Sequence, residues 1–306
     1  MPFRNFLARI VRRTTSAPGI RAGQVFSLAA MLIVIGFSTV LAVWAAARPA
    51  FGALAALLLF GGILGAGLIL AEGLRLLFLL FGQWRRDLAA AQIHDALLAG
   101  ETPTAPFVLY LRPFSSTNAL ARTTDTVVPI PQAELPGGPK VFAIGTDRIE
   151  FEATIEASVR KTGTMIGLGR PLEHIGAGRI PVDDETWQDT VARLMEHAKL
   201  IVLLPSPAGG TRWEVDRLLS SDLMTKTVIV DPPNLASERE DYDPAVEWAA
   251  MREVFRDKGY ALPDDDRAGQ LVYFGDQTEP HSTCRLAFDE VSAIRKFLEP
   301  VVVKSH

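Results

Sequence analysis

The residues best suited to chemistry lie in one run, Lys199-Leu-Ile-Val-Leu-Leu-Pro-Ser-Pro-Ala-Gly-Gly-Thr-Arg-Trp-Glu214. Along it an apolar segment gives way to two glycines, a hydroxyl, an aromatic ring and a carboxylate. An apolar run bounded by Pro and Gly is the composition of a parallel strand covered on both faces. Ligands of such sheets bind where strand carboxyl ends meet helix N-termini, and Glu214 falls at such a place. Gly209 and Gly210 allow close backbone approach to a phosphate or ribose, and Trp213 offers a stacking face. A carboxylate beside a ribose can stabilise the oxocarbenium character that develops as an N-glycosidic bond breaks. The same residues have a purely structural reading. Thr211 and Glu214 have the spacing of a capping box, and a glutamate near a helix N-terminus is favoured by the dipole whatever its function.

Positioning these groups requires strands and helices in alternation, and from Phe107 onward short apolar runs do alternate with longer amphipathic segments. Strands are expected over 107–112, 164–169, 200–204, 227–230 and 270–274. Helices are expected over 151–161, 183–198, from Thr211, over 244–258 and over 283–298; Trp187, Val191, Leu194, Met195 and Ala198 share one face of the second. The stretch 113–150, rich in Pro, Thr and Gly, reads as an insertion at a strand's carboxyl end, with two further candidate strands at 126–130 and 140–144.

Five strand-helix units predict an α/β flavodoxin-like, three-layer domain with a parallel five-stranded sheet. Its strand order would be 2-1-3-4-5, with a switch point between the first and third strands. That order brings Arg112, Phe114, Ser115 and Ser116 towards Ser206, Gly209, Gly210, Thr211 and Trp213 in one ligand-binding pocket. Glu214 is its catalytic candidate, and Arg112 could pair an anion. The competing structural readings are that Arg112 pairs a neighbouring acid and that Trp187 and Trp213 belong to the core. Ser115-Ser116-Thr117-Asn118 resembles the hydroxyl-rich phosphate loop of flavodoxins but lacks its central glycine, which favours an ordinary polar turn.

Ahead of this domain the apolar residues are concentrated, with no charged residue over 25–47 or 51–71. At about 1.5 Å per residue each stretch would cover the roughly 30 Å of a bilayer core, so both read as transmembrane helices. A cleaved signal peptide is the competing account of the first, and two spans in tandem argue against it. Arg4, Arg9, Arg12, Arg13 and Arg21 precede the first and Arg75, Arg85 and Arg86 follow the second. Only Arg48 lies between, so both termini are expected in the cytoplasm. No charged pair within the spans suggests an ion or substrate path. Gly61 and Gly65 allow close helix approach, either within the hairpin or in a homo-oligomer. Trp84, Arg85 and Arg86 read as interfacial anchors, and Pro103 and Pro106 as a stiff break. The expected division is a basic cytosolic N-terminus over 1–24, two transmembrane helices and a juxtamembrane helix over 25–100, and a cytosolic α/β domain over 101–306.

The single cysteine, Cys284, excludes an internal disulfide and a cysteine-based metal cluster. His94, His174, His197, His281 and His306 show no metal-ligand spacing, so no metal site is expected. A net charge of -4 gives no reason to expect nucleic acid as a partner.

The strings GLGRPLEHIGAGR, DDETWQDTVARLMEHAKLIVLLPS and GGTRWEV resemble the Toll/interleukin-1 receptor (TIR) domain. They are similar in particular to the TIR-like cytosolic domains of bacterial two-span membrane proteins. The resemblance covers Phe107 to the end. In TIR domains that hydrolyse NAD it implies a glutamate, on the helix after the third strand, acting on the nicotinamide ribose, usually in the pattern W-x-x-x-E. Here Arg217 stands four residues after Trp213 and Glu214 follows the tryptophan directly, one helical turn from the usual place. Gly210-Thr211-x-x-Glu214 is also similar to the G-T-x-x-E part of the lysine-decarboxylase-like nucleotide-binding families, whose glutamate serves a ribose-cleaving site. The resemblance therefore implies a cytosolic domain at a bacterial inner membrane, anchored in the bilayer. It would bind an NAD-like nucleotide, as substrate or ligand, and cleave its N-glycosidic bond in signalling or defence. The alternative it implies is a non-catalytic TIR-like scaffold acting by homo-oligomerisation or partner binding.

Overall fold

The computed structural model describes residues 52–113, 121–125, 146–172, 176–207, 209–233, 243–286 and 291–304, together with Gly36, Val40, Val43 and Trp44. The chain separates into two compact units, Met1–Leu79 and Leu80–His306. The division falls inside helix α1 (Gly52–Leu98), well ahead of the boundary expected at residue 101.

The strands follow from composition. β1 (Phe107–Leu111) is FVLYL, and all five residues are buried, as in a strand covered on both faces. β4 (Thr164–Leu168), β5 (Gly178–Ile180), β6 (Leu200–Leu203), β7 (Thr227–Asp231), β8 (Gln270–Tyr273) and β9 (Ser282–Arg285) join it in a seven-stranded sheet of order β5-β4-β1-β6-β7-β8-β9. β2 (Ala121–Asp125) and β3 (Thr146–Glu150) form a separate antiparallel pair. The candidate strands at 126–130 and 140–144 lie outside the described residues.

The strands from β5 to β7 run parallel, with Leu111 beside Leu203 and Leu109 beside Ile166. β8 is antiparallel to β7, and β9 is antiparallel to β8. The five expected strands stand in the expected neighbour order, but the sheet is mixed and seven-stranded, which overturns the parallel five-stranded sheet. Chain direction is set by where the preceding connection delivers the strand, and an apolar run reads the same both ways. β9 escapes a hydrophobicity reading because it is Ser-Thr-Cys-Arg on the outside of the sheet, with exposure alternating along it. It takes the place of the first turn of the closing helix expected from residue 283; that helix, α6, is Val291–Lys304.

The sheet's alternation sorts its side chains into two cores. Phe107, Leu109, Leu111, Ile201 and Ile229 face the later turns of α1, α3 (Trp187–His197), α4 (Gly209–Leu219) and α5 (Pro244–Asp257). Val108, Tyr110, Val202 and Val228 face α2 (Phe151–Val159) and α6. α5 starts on a side-chain cap: Asp243 Oδ1 accepts from the N–H groups of Ala245 and Val246, with Pro244 in the first turn.

The second expected span, 51–71, is not a separate element. All but Phe51, which lies outside the described residues, opens a 47-residue helix whose later turns carry Glu72, Arg75, Arg85, Arg86, Asp87 and Asp95. Among the described residues no helix is long and apolar enough to cross a membrane. That finding contradicts the membrane hairpin and the inner-membrane location with both termini cytoplasmic; the first span, 25–47, lies almost wholly outside the described residues. A charge-free stretch has the composition of a span, but where its helix ends depends on what the continuation packs against. Here Ala90, Ile93 and Leu97 of that continuation are buried in the core of the second unit.

Candidate functional site

The neighbouring carboxyl ends of β1 and β4 carry Leu111, Arg112 and Leu168 to one place, and the first turns of α4 bring Glu214 to the same place. With Tyr110 these residues line a small cleft that opens to solvent. Its interior is only about 20 Å³, room for one or two waters.

Glu214 is 6% exposed, and its buried Oε2 has no hydrogen-bond partner among the described residues. Burial, with no compensating donor, pushes its carboxyl up to about 8. At neutral pH the group is therefore mostly the neutral acid. This is not the arrangement of a capping box. α4 opens at Gly209, so Thr211 lies within the first turn rather than ahead of it, and Glu214 reaches inward to the cleft.

Arg112, by contrast, is engaged. Its Nε lies 3.5 Å from Glu152 Oε2. Glu152, also buried, accepts from Arg179 Nη2 at 2.5 and 2.7 Å and from the N–H of Ala177 at 2.8 Å. Burial alone would push the Glu152 carboxyl up, but the guanidinium groups of Arg179 and Arg112 hold it below the ordinary carboxylate range. Gly176 makes this possible: at φ +150 it occupies backbone space that L side chains rarely enter, and an added Cβ would fall 2.6 Å from Glu152 Oε1.

A second polar layer supports the first. The side chains of α1 take up main-chain groups of β5 and of the segment that leads into it. Gln83 donates to Ala177 O at 2.8 Å and accepts from Gly176 N at 2.9 Å; Asp87 accepts from Arg179 N at 2.9 Å and from Leu172 N at 2.8 Å. Leu172 has a positive φ of 62°, which its bond to Asp87 helps to hold. Gly178 admits the helix, since a Cβ there would meet the carbonyl oxygen of Arg86 at 2.3 Å.

The other sequence candidates divide. Ser206, fully buried, donates from Oγ to Glu247 Oε2 at 2.5 Å, on α5, and does not line the cleft. Gly209 and Gly210 are exposed at the start of α4, and Thr211 is buried beneath them. Trp213 is half-buried edge-on to Trp187, with ring centroids 5.1 Å apart, and both pack on the core. Phe114, Ser115 and Ser116 lie outside the described residues.

Glu152, Arg179, Gln83 and Asp87 are absent from the sequence reading of the site, and no local signal marks them. The bonds that join Glu152 to Ala177 and Arg179, and Gln83 and Asp87 to the segment 172–179, span 25 to 94 residues of chain. A further buried carboxyl, Asp231 at the end of β7, accepts from Gln270 Nε2 at 3.0 Å and Asp266 N at 3.1 Å. Burial pushes it up to about 6, against those hydrogen bonds. Among the described residues no cluster of His, Cys, Asp and Glu could hold a metal ion.

Fold and cleft together define a three-layer α/β protein with a mixed sheet and a crevice at its strand carboxyl ends. No protein-family model, curated protein or solved structure matches this chain.

Proposed function

We propose that this crevice binds a nucleotide of the NAD type and that Glu214 assists the breaking of its N-glycosidic bond. The observation that carries the reading is the buried Oε2 of Glu214, without a partner among the described residues, in a cleft shared with Arg112. A buried polar atom left without a partner is costly, and such groups gather where a ligand completes them. Burial keeps Glu214 mostly neutral at pH 7. A nicotinamide ribose brings positive charge, which favours the carboxylate, and the carboxylate then stabilises the ribosyl cation as the bond to nicotinamide breaks. The TIR-like resemblance supports the same assignment, through a glutamate on the helix after the third of the expected strands. The narrow interior of the cleft, about 20 Å³, supports the second reading, a non-catalytic module that signals by oligomerisation or partner binding.

Nicotinamide release from NAD by the purified full chain decides between them. For the enzyme, Glu214→Gln lowers turnover on the order of a hundredfold or more. Because the acting form is the carboxylate, kcat/KM rises with pH and levels off above about 8. A profile that falls through that range would make Glu214 a general acid instead. No release by concentrated, folded protein leaves the non-catalytic module.

A further inference from the structure

The cluster behind the cleft is built on one shared carboxylate, with Asp87 on the far side of Arg179. Arg112 and Arg179 are two cations, and Glu152 is the one carboxylate they share. Glu152 spends both oxygens on Arg179, which is itself 1% exposed with a buried Nε that has no partner among the described residues, and reaches Arg112 only at Nε. Among the described residues Glu152 is the sole partner of Arg112, so the two terminal nitrogens of its guanidinium remain available to a ligand in the cleft that Arg112 lines. A guanidinium anchored at Nε presents its other donors as a rigid fork, the geometry that fits two oxygens of a phosphate.

We propose that the cleft receives a phosphate-type oxyanion on the terminal nitrogens of Arg112, and that Glu152 is the positioning residue that fixes this fork. The proposal rests on the nucleotide reading and sharpens it: the phosphates of the ligand lie against Arg112, and Glu214 is left for the ribose. Glu152 does not touch the ligand. It aims Arg112, and is itself held by Arg179, by the N–H of Ala177 and by the space at Gly176.

Inorganic pyrophosphate, titrated calorimetrically into the full chain, is the probe. Saturable binding is expected in the wild type. Arg112→Lys keeps a positive charge but loses both the Nε contact and the fork, so affinity falls tenfold or more while the melting temperature without ligand hardly moves. Glu152→Gln weakens binding similarly. Glu152→Asp restores part of it, because the charge that orients Arg112 returns; a merely structural Glu152 would alter melting temperature without this graded recovery. Should Glu152→Gln fail to fold, Arg112→Lys still decides. Equal pyrophosphate affinity in wild type and Arg112→Lys, or no binding to the wild type at millimolar pyrophosphate, overturns the proposal. Failure of the catalytic reading looks different: pyrophosphate binds through Arg112 while NAD is not turned over.

Discussion

Glu152 and Glu214 are both buried glutamates, one behind the cleft and one inside it, and they have opposite electrostatic fates. Glu152 is surrounded by two guanidinium groups and a backbone N–H, and stays ionised. The buried Oε2 of Glu214 has no hydrogen-bond partner among the described residues, and burial holds the group mostly neutral up to about pH 8. Equal burial therefore says nothing about charge; the donors within reach decide it. One carboxyl is built into the fold as an ion. The other is left as an open valence in the cleft.

The strongest way to break this contrast is to remove what orients the partners of Glu152. A chain starting at Leu80 keeps Gln83 and Asp87 on β5 and Ala90, Ile93 and Leu97 in the core, and is expected to unfold cooperatively. One starting at Thr104 loses all of these and is expected not to fold; cooperative urea unfolding of that shorter chain, followed by circular dichroism, would show that α1 is dispensable.

Next in size are the two glutamates themselves. Glu152→Gln leaves Arg179 buried without its counter-ion and should cost about 3–5 kcal/mol. Because the folded carboxyl of Glu152 is held below its ordinary value, the stability it contributes is present above that value and lost as pH falls through the folded one. The gap between variant and wild type should therefore close in acid. Glu214→Gln is expected to act in the opposite direction. Its folded carboxyl titrates at about 8 against an ordinary 4.5, so the wild type loses stability as pH rises between those values and the glutamine variant does not. The variant should match the wild type near pH 4.5 and exceed it by up to a few kcal/mol above pH 8. A lower melting temperature for Glu214→Gln at pH 8 would mean that Glu214 caps a helix after all.

The smallest effect sharpens the contrast. Asp87→Asn keeps the shape and an acceptor but disturbs the bonds to Arg179 N and Leu172 N, and should cost about 1–2 kcal/mol in a urea titration. Little or no change in pyrophosphate affinity is expected, since the Glu152 contacts remain.

The legible part of this molecule was what short apolar runs encode. β1, β4, β6 and β7 declare themselves because strands covered on both faces are apolar without interruption, and Glu214 was visible because Gly-Gly-Thr precedes it on a helix start. β5, which is Gly-Arg-Ile, and β9, which is Ser-Thr-Cys-Arg, carry no such signature: the edges of a sheet are written in polar residues. The direction of β8 was equally silent. So was the burial of α1's last turns, because Ala90, Ile93 and Leu97 look the same on a solvated stalk as against a sheet. Glu152 and Arg179 stand 27 residues apart, and only the winding of the chain between them makes them a pair.

An open sheet presents its outermost strand to any passing chain, and a long bare edge is a template on which copies can stack into fibres. On the β5 side α1 occupies that template. Asp87 holds the N–H of Arg179 on β5, Gln83 holds the N–H of Gly176 and the carbonyl of Ala177 just before it, and the α1 backbone lies against Gly178, so a foreign strand would have to displace a helix to gain a register there. At the opposite edge β9 offers only four residues, Ser282–Arg285, ending in a charged side chain. The helix laid along β5 thus occupies the edge on which another strand would otherwise find a register.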